Sequence, residues 1–456
     1  MRQRCPLPLS RLALAVVACG YLDAARAQVP LPDHPTTPIS SEGPPLSLAE
    51  AEALALRNQP SLRQSEAVVD VDRARVEQAR APYFPQLAGT IQYQITTGNF
   101  VPRPGAVLTN AAPPPATSNQ TYDFYTAGLV ASQLISDFGQ TTGRWRAARA
   151  TTDAARATAD NDRANVLGEV RRAYFQLRAL QDLAKVDAEA LANQERHLQQ
   201  VEGYVKAGLR PGIDQATAET DVENARVQLI KAESDCLAAR ALLAQALGAQ
   251  GDQAYELTDS DFPPVAGEDS APAVLLEAAL RARPDLRALE RQRLAQESVV
   301  SAALGAYGPS LFANASVTDA GREIDALVPN WSVGATLVWP LSQGGLATGQ
   351  LHEAQASLRG LAAQEETLRL SVWVQVDQAA LAVRAARSSR TAAEKAAVSA
   401  RNQLQLAEAR YATGLGSALE LSDAQLALTQ AEAQAVGTRY ALAQSRAQLS
   451  TALGRP

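Results

Sequence analysis

The sequence predicts a mainly α-helical fold with a small β part, built from two similar halves. Three observations lead to this prediction. Segments of the first half recur in the second, each half has two short stretches in which apolar and polar residues alternate, and each half has a long proline-free stretch with a seven-residue apolar repeat. Aromatic residues form only 5% of the chain, which favours closely packed long helices over a bulky globular core.

The internal duplication extends through most of the chain. Short segments of the first half correspond to segments of the second at two offsets, 224 and 206 residues. The offset changes because the first half holds an extra 18 residues around the proline-rich stretch 101–118, which predicts an inserted loop. Two equivalent structural units are therefore expected. The corresponding segments are 56–63 with 280–287, 81–87 with 305–311, 139–143 with 345–349, and 246–248 with 452–454.

The duplication divides the chain into five predicted segments. Each repeat opens with a short helix that ends before a proline, as helices commonly do. The segments are a signal peptide at 1–27, a proline-rich N-terminal segment at 28–45, a first repeat at 46–250, a linker at 251–272 and a second repeat at 273–454.

The first residues are typical of an export signal. Arginines precede an apolar run at 12–18, and Ala25–Ala27 forms an A-x-A cleavage site. Val16–Cys19 also fits a lipoprotein signal, in which Cys19 becomes the lipidated first residue. Two interpretations therefore stay open, cleavage after Ala27 and lipidation of Cys19. No later apolar run reaches about 18 residues, so no transmembrane helix is predicted.

Four stretches are predicted to be β-strands. Their alternation fits either a strand with one face in lipid or a soluble hairpin with one buried face. Tyr93, Trp331 and Trp339 are accordingly either aromatic residues at a membrane interface or core aromatic residues. The predicted strands are 87–97 and 121–135 in the first half, and 310–318 and 331–341 in the second.

Long helices are predicted to follow the strands in both halves. The stretch 139–207 keeps apolar residues seven apart, a repeat that produces coiled-coil packing. A helix of this length spans roughly 100 Å. Gly208 and Gly414 then permit a turn, and a returning helix follows. The residues that show the repeat are Leu177, Ala184, Leu191 and Leu198 in the first half, and Leu351, Leu358, Leu361, Leu368 and Val372 in the second.

The number of strands has a consequence for assembly. Single-chain membrane barrels begin at eight strands, and open sheet edges are not tolerated in lipid. Four strands in a membrane must therefore be shared between copies of the chain, which predicts a homo-oligomer. The long helices would leave the sheet and return to it, extending the barrel as a hollow tube.

Composition and motifs argue against other classes. The net charge of −6 does not favour nucleic-acid binding, which needs basic surfaces. The sequence has no nucleophile elbow or phosphate-binding glycine loop, so we expect a protein that is not an enzyme. His34, His197 and His352 lack ligand spacing, which predicts no metal or other cofactor. Cys236 is predicted to be a small helix-face residue.

The duplicated plan resembles the TolC family of outer-membrane export proteins, over about residues 46–454. The similar stretches are Ser47–Ala51 leading to Asn58–Pro60, and Tyr411–Gly414 followed by Glu420 and Asp423. The resemblance implies a homotrimer with a twelve-stranded β-barrel in outer-membrane lipid, continuing into a long periplasmic α-helical barrel. It also implies a Gram-negative outer-membrane location, a periplasmic adaptor protein and an inner-membrane pump of ABC or RND type.

The resemblance further implies where function lies. Gly208, Leu209, Gly414 and Leu415 would form the tip that contacts the adaptor, although both glycines also suit simple helix caps. A channel constriction would form near this tip. Its matching residues are Tyr411, Glu420 and Asp423 in the second half and Asp214 in the first. The family often has an arginine where this chain has Gly416, and Arg210 would substitute for that arginine.

From their residue type alone, Glu420 and Asp423 have two interpretations. Copies of Glu420 and Asp423 around a narrow axis would attract cations and repel anions. They also suit ordinary solvated helix faces. For the whole protein the favoured function is small-molecule efflux, the runner-up is type I protein secretion, and a third alternative is a periplasmic coiled-coil adaptor, which would need one helical hairpin rather than two equivalent halves.

Overall fold

A computed structural model describes residues 44–97, 121–249 and 255–455 of the chain. The predicted signal peptide, Cys19 and the inserted loop at 101–118 lie outside these residues. Within the described part, helices dominate and a small antiparallel sheet stands beside them. This confirms the predicted fold class, mainly α with a small β part.

The two halves contain the same elements in the same order. In the first half these are α1 (Leu48–Asn58), α2 (Pro60–Arg80), β2 (Gln86–Thr97), β3 (Thr121–Ser136), α3 (Gln140–Lys206) and α4 (Gly212–Leu247). In the second they are α5 (Pro272–Ala282), α6 (Pro284–Gly305), β5 (Ser310–Gly321), β6 (Val328–Val338), α7 (Leu346–Ala412) and α8 (Ala418–Ala452). Two short strands, β1 (Pro45–Leu46) and β4 (Glu256–Leu257), pair in parallel and join the halves.

Local sequence explains where several helices begin and end. α1 begins with a capping box, in which the side chains of Ser47 and Glu50 each accept a hydrogen bond from the other residue's backbone N–H. α1 ends before Pro60, because proline disfavours a helical conformation in the preceding residue. Gly139 and Gly345 precede α3 and α7 with φ of 89° and 87°, a conformation that strains any residue with a Cβ atom.

The long helices form two hairpins. α3 and α7 have 67 residues each and so span about 100 Å. α3 packs along α4, α7 packs along α8, and α3 also contacts α8. The shorter α2 packs on α3, while α6 packs on both α3 and α7. Among the described helices, none combines the length and apolar character needed to cross a membrane.

The sheet has the strand order β2-β3-β5-β6, with every pair antiparallel. Its register joins odd-numbered residues to odd-numbered residues; Gly89, Leu129, Val317 and Trp331 form one such row. Since successive side chains point to opposite faces, the odd-numbered residues share one face up to the β-bulge at Leu134–Ser136.

β6 corrects one predicted strand. The alternation of residues predicts a strand at 331–341, whereas β6 spans Val328–Val338. Its partner β5 begins at Ser310, opposite Val338, and Pro340 has no N–H to donate, so pairing stops there. β5 in turn runs beyond its predicted end at 318, to Gly321.

The described part of the predicted linker, 251–272, contributes buried side chains to the core. The ring of Phe262 contacts Phe175 of α3 edge-on, with 6.1 Å between the centroids. Glu268 is buried and accepts hydrogen bonds from Nε and Nη2 of Arg446 in α8, both at 3.1 Å. This segment therefore links α3 to α8.

Candidate channel walls and entrance

The two faces of the sheet differ in chemistry. The odd-numbered face is apolar and exposed, with Ile91, Trp331 and Val333 each more than three-quarters exposed. Exposed apolar side chains in such a continuous band mark a surface that contacts lipid or another protein. Further exposed apolar residues of this face are Leu87, Ile95, Leu129, Val317 and Leu337.

The even-numbered face carries polar side chains that bond to one another across the strands. Ser132 Oγ donates to Asn314 Oδ1 at 3.0 Å, and Asn314 Nδ2 donates to Thr336 Oγ1 at 3.1 Å. The hydroxyls of Ser316 and Ser332 lie 2.8 Å apart. A polar face opposite an apolar one is the arrangement of a strand between lipid and a water-filled lumen.

Both sheet edges are open in the described chain. β2 pairs only with β3, and β6 pairs only with β5, leaving the other side of each edge strand without a partner. Neither edge carries a bulge within the described pairing. Unpaired edge strands of twelve and eleven residues are templates for pairing with another chain.

The three predicted interface aromatic residues all lie on the odd-numbered series. Tyr93, near the strand end farther from the helices, packs against Tyr125 with 5.1 Å between the ring centroids and donates to Asp123 at 2.7 Å. Trp331 is exposed on β6. Trp339 directly follows β6 at the helix end of the sheet.

The far ends of the helices turn at the two predicted glycines. Gly208 and Gly414 have φ of 72° and 75°, the left-handed conformation that glycine adopts without strain. Leu209 and Leu415, which follow them, are each more than 70% exposed. Ile213 and Leu419 are equally exposed, and sequence analysis missed them, although the 206-residue offset relates them to each other.

Three of the predicted constriction residues come together around one ring. Tyr411 is buried against Ala407, Leu421 and Ala424. The guanidinium of Arg210 lies 4.7 Å from the centre of the Tyr411 ring, within cation–π distance. Arg210 Nη1 lies 3.9 Å from Asp214 Oδ2.

The Tyr411 ring also meets two residues that sequence analysis did not assign to the site. His197 and Tyr204, both on α3, approach it edge-on with centroid distances of 5.6 and 6.4 Å. Burial raises the pKa of Tyr411 and lowers the pKa of His197, whose neighbours Asp221 and Asp214 counteract the effect only in part. Only the tertiary packing brings these α3 residues to Tyr411.

Gly416 closes the second-half turn. Its N–H donates to the Arg410 carbonyl at 2.9 Å, and a Cβ atom here would lie 3.1 Å from the Tyr411 nitrogen. A larger residue would be in close contact with the backbone of the turn, which would have to shift slightly to accept it. Arg210 instead contacts Tyr411 from the first half.

Glu420 and Asp423 lie near the start of α8 and take no part in the ring contacts of Tyr411. Ser417 Oγ accepts a hydrogen bond from the Glu420 N–H at 3.1 Å and caps the helix. Arg410 Nε lies 3.4 Å from Glu420 Oε1, a cation that the sequence analysis missed. Asp423 is exposed and makes no hydrogen bond or ion pair with the residues that the structure describes.

Metal-ligand chemistry is sparse in the described residues. They contain no group of three or more histidine, cysteine, aspartate or glutamate side chains with the spacing to hold a metal ion. Cys236 is partly buried, and burial raises the pKa of its thiol.

Comparison with known proteins shows to which family the chain belongs. The family model described as "Outer membrane efflux protein" matches residues 53–249 and 275–455, which is most of both repeats. The chain belongs to the outer membrane efflux protein family. Its predicted outer-membrane location and its predicted role in export are thereby confirmed, and the family is one of transport channels.

Members of the outer membrane efflux protein family resemble the chain over nearly its full length. Outer membrane protein TolC of Escherichia coli strain K12 is 28% identical over 442 residues, covering 90% of this chain and 83% of TolC. The toluene efflux pump outer membrane protein TtgI of Pseudomonas putida is 26% identical, covering 88% of this chain and 83% of TtgI. The crystal structure of CusC shares the fold, with a TM-score of 0.78 at 21% identity over 90% of this chain and 92% of CusC.

Proposed function

We propose that three copies of the chain form one hollow export conduit. β2 of each copy pairs with β6 of the next, so that three four-stranded sheets close into one twelve-stranded barrel in outer-membrane lipid. The observation that carries this proposal is the split of the sheet into an apolar and a polar face, together with its two open edges. The paired long helices continue the barrel into the periplasm as a tunnel.

The tip of the helices is the proposed contact with a periplasmic adaptor. Leu209, Ile213, Leu415 and Leu419 expose apolar side chains at repeat-related positions around the two turns. Exposed apolar residues clustered at one end of a polar helical structure indicate a protein contact. Through this adaptor the conduit would receive substrates from an inner-membrane pump of ABC or RND type.

The inner entrance is proposed to be acidic. Asp423 is exposed and unpaired with any described residue, whereas Arg410 offsets part of the charge of Glu420. Three copies of Asp423 around the axis would therefore supply most of the negative potential, and Glu420 a smaller part. Tyr411, Arg210 and Asp214 would hold the neighbouring turns in place.

Charge removal at the entrance should lower cation selectivity. In planar bilayers, we expect the double variant Glu420→Gln, Asp423→Asn to reduce the potassium-over-chloride permeability ratio at least about threefold, because the local negative potential is lost. Asp423→Asn alone should produce most of this change. The charge-retaining variant Glu420→Asp, Asp423→Glu is the matched control and should stay selective. An unchanged ratio in the double variant would return both residues to ordinary solvated helix faces.

The proposed cargo is a small molecule, and the chain is proposed to carry out transport without catalysis. The name of TtgI, a relative that exports toluene, supports this cargo class. Cells that lack the chain should accumulate a fluorescent apolar dye, and its expression should restore dye efflux. Normal dye efflux combined with the loss of a secreted protein from the medium would instead favour type I secretion.

A further inference from the structure

Both halves build the junction between sheet and helices in the same way. Tyr83 precedes β2, and its hydroxyl lies 2.7 Å from Thr142 Oγ1 in the first turn of α3. In the second half, Tyr307 Oη donates to Thr348 Oγ1 of α7 at 3.1 Å. These contacts fix one tyrosine beside the base of each long helix.

The same two tyrosines also contact side chains from the end of the sheet next to the helices. Gln133 Nε2 donates to the Tyr83 carbonyl at 3.1 Å, and Trp339 Nε1 donates to the Tyr307 carbonyl at 3.2 Å. Gln133 belongs to the odd-numbered series, which carries the apolar face, and Trp339 directly follows β6. Tyr83 is therefore contacted from the side of the sheet that faces lipid in the proposed barrel, and Tyr307 from the residue that ends β6.

Among the described residues, only the first-half junction adds cations to its aromatic rings. The Arg80 guanidinium lies 5.2 Å from the centre of the Phe84 ring, and that of Arg149 lies 5.1 Å from the Trp145 ring. Trp145 in turn meets Tyr83 edge-on, with 6.5 Å between the centroids. This group, the junction collar, consists of Arg80, Tyr83, Phe84, Trp145 and Arg149.

The cations of the junction collar lack carboxylate partners. Neither Arg80 nor Arg149, nor the adjacent exposed Arg146, forms an ion pair within the described chain, although many arginines elsewhere in it do. Stacking on a ring leaves the N–H groups of a guanidinium free to bind an anion at its edge. The second half has no such charge, because the equivalent positions are Leu304, Gln355 and His352.

We propose that the junction collar binds the phosphate headgroups of anionic phospholipids in the membrane leaflet nearest the helices. Aromatic residues are typical of the membrane interface, so the aromatic rings of the collar indicate that it lies at that interface. Exposed arginines beside the interface attract anionic headgroups. Three copies would give three such sites around the conduit, alternating with three neutral second-half junctions. The inference rests on the proposed shared barrel, which sets the depth of the collar in the membrane.

Quenching of tryptophan fluorescence by brominated lipid tests the collar. The trimer carries Trp331→Phe and Trp373→Phe, so that the signal comes from the junction residues Trp145 and Trp339. It is placed in phosphatidylcholine vesicles with increasing brominated phosphatidylglycerol. Brominated phosphatidylcholine in matched vesicles gives the reference. We expect phosphatidylglycerol to bind preferentially, and Arg80→Gln, Arg149→Gln to reduce its relative binding constant at least about fivefold.

A matched double variant controls for the loss of two positive charges. Arg73→Gln, Arg163→Gln removes arginines from the same two helices, farther from the sheet, where both are ion-paired. Arg163 lies 14 residues beyond Arg149, or about 21 Å along α3. This control should keep the preference. Equal binding of both lipids by the unaltered collar, or an equal loss in the control, would overturn the proposal.

Failure of the barrel itself would look different. If the sheet does not lie in lipid, neither brominated lipid should quench the junction tryptophans in any variant. That result overturns the collar together with the proposed barrel, whereas strong quenching without lipid preference overturns the collar alone. Size-exclusion chromatography of each variant first establishes that it assembles like the parent protein.

Discussion

Replacing Glu268 with glutamine should lower the free energy of unfolding by about 3 kcal/mol, since breaking a buried ion pair leaves an uncompensated charge. Glu268 is only 5% exposed. It accepts hydrogen bonds from Arg446 and from the Val265 N–H at 3.1 Å, and it also pairs with Arg387. Glutamine fills the same space but leaves the nearly buried Arg446 without its counter-ion. Urea unfolding followed by helical circular dichroism measures the change.

Glu277→Gln is the matched control for this variant. Glu277 also pairs with an arginine, Arg281, but both side chains are more than 60% exposed. Exposed pairs contribute about 0–1 kcal/mol, so this variant should unfold close to the parent protein. Equal urea midpoints of unfolding for Glu268→Gln and the parent protein would show that the ion pairs of Glu268 do not stabilise the packing of the helices.

The effect of Glu268 should also depend on pH. Burial alone would raise its pKa, but hydrogen bonds from Arg446 and the Val265 N–H, with the charges of Arg446 and Arg387, lower it below the ordinary value of 4.5. A carboxyl group with a lowered folded pKa stabilises the protein above its unfolded pKa. The difference between parent and variant should therefore be constant near neutral pH and shrink as the pH falls below 4.5 through the folded pKa.

The duplicated fold could be predicted because each of its elements leaves a periodic pattern. Alternation with period two indicates strands, a seven-residue repeat indicates long helices, and Gly208 and Gly414 mark the turns. The family, its location and its export role follow from this plan and are confirmed. The strand β6 was misplaced by three residues, because its limits depend on pairing with β5 and not on its own alternation.

The contacts of the predicted linker could not be predicted from the sequence for a related reason. Phe262 and Glu268 lie in a segment without periodicity, and their partners in α3 and α8 are distant in sequence. No local pattern reports such contacts. The described residues around them belong to the buried core, and only the tertiary structure shows this.

For the predicted entrance residues too, the sequence indicates which residues are present but not which residues they contact. The first-half turn brings Arg210 to Tyr411, some 200 residues away, so sequence correspondence could suggest this arginine but not its stacking. Arg410 beside Glu420 was missed because its neighbour lies across the turn. The roles of Tyr411, Glu420 and Asp423 in a constriction stay predictions.

Crosslinking of the two edge strands tests the shared barrel most directly. In a Cys236→Ser background, Ile91→Cys in β2 is combined in turn with Trp331→Cys, Val333→Cys or Ala335→Cys in β6, which samples the register between copies. Within one sheet these strands are three spacings apart, about 14 Å, beyond the reach of a short bismaleimide. The control pair, Leu129→Cys with Val317→Cys, is adjacent within one chain.

The account predicts that at least one edge pair yields covalent dimers and trimers, and nothing larger, on a denaturing gel of protein crosslinked in outer membranes. The control pair should stay at the mass of one chain, because its crosslink is internal. Only single-chain bands for every edge pair, with the control crosslinked in full, would contradict a barrel closed by β2 and β6 of neighbouring copies.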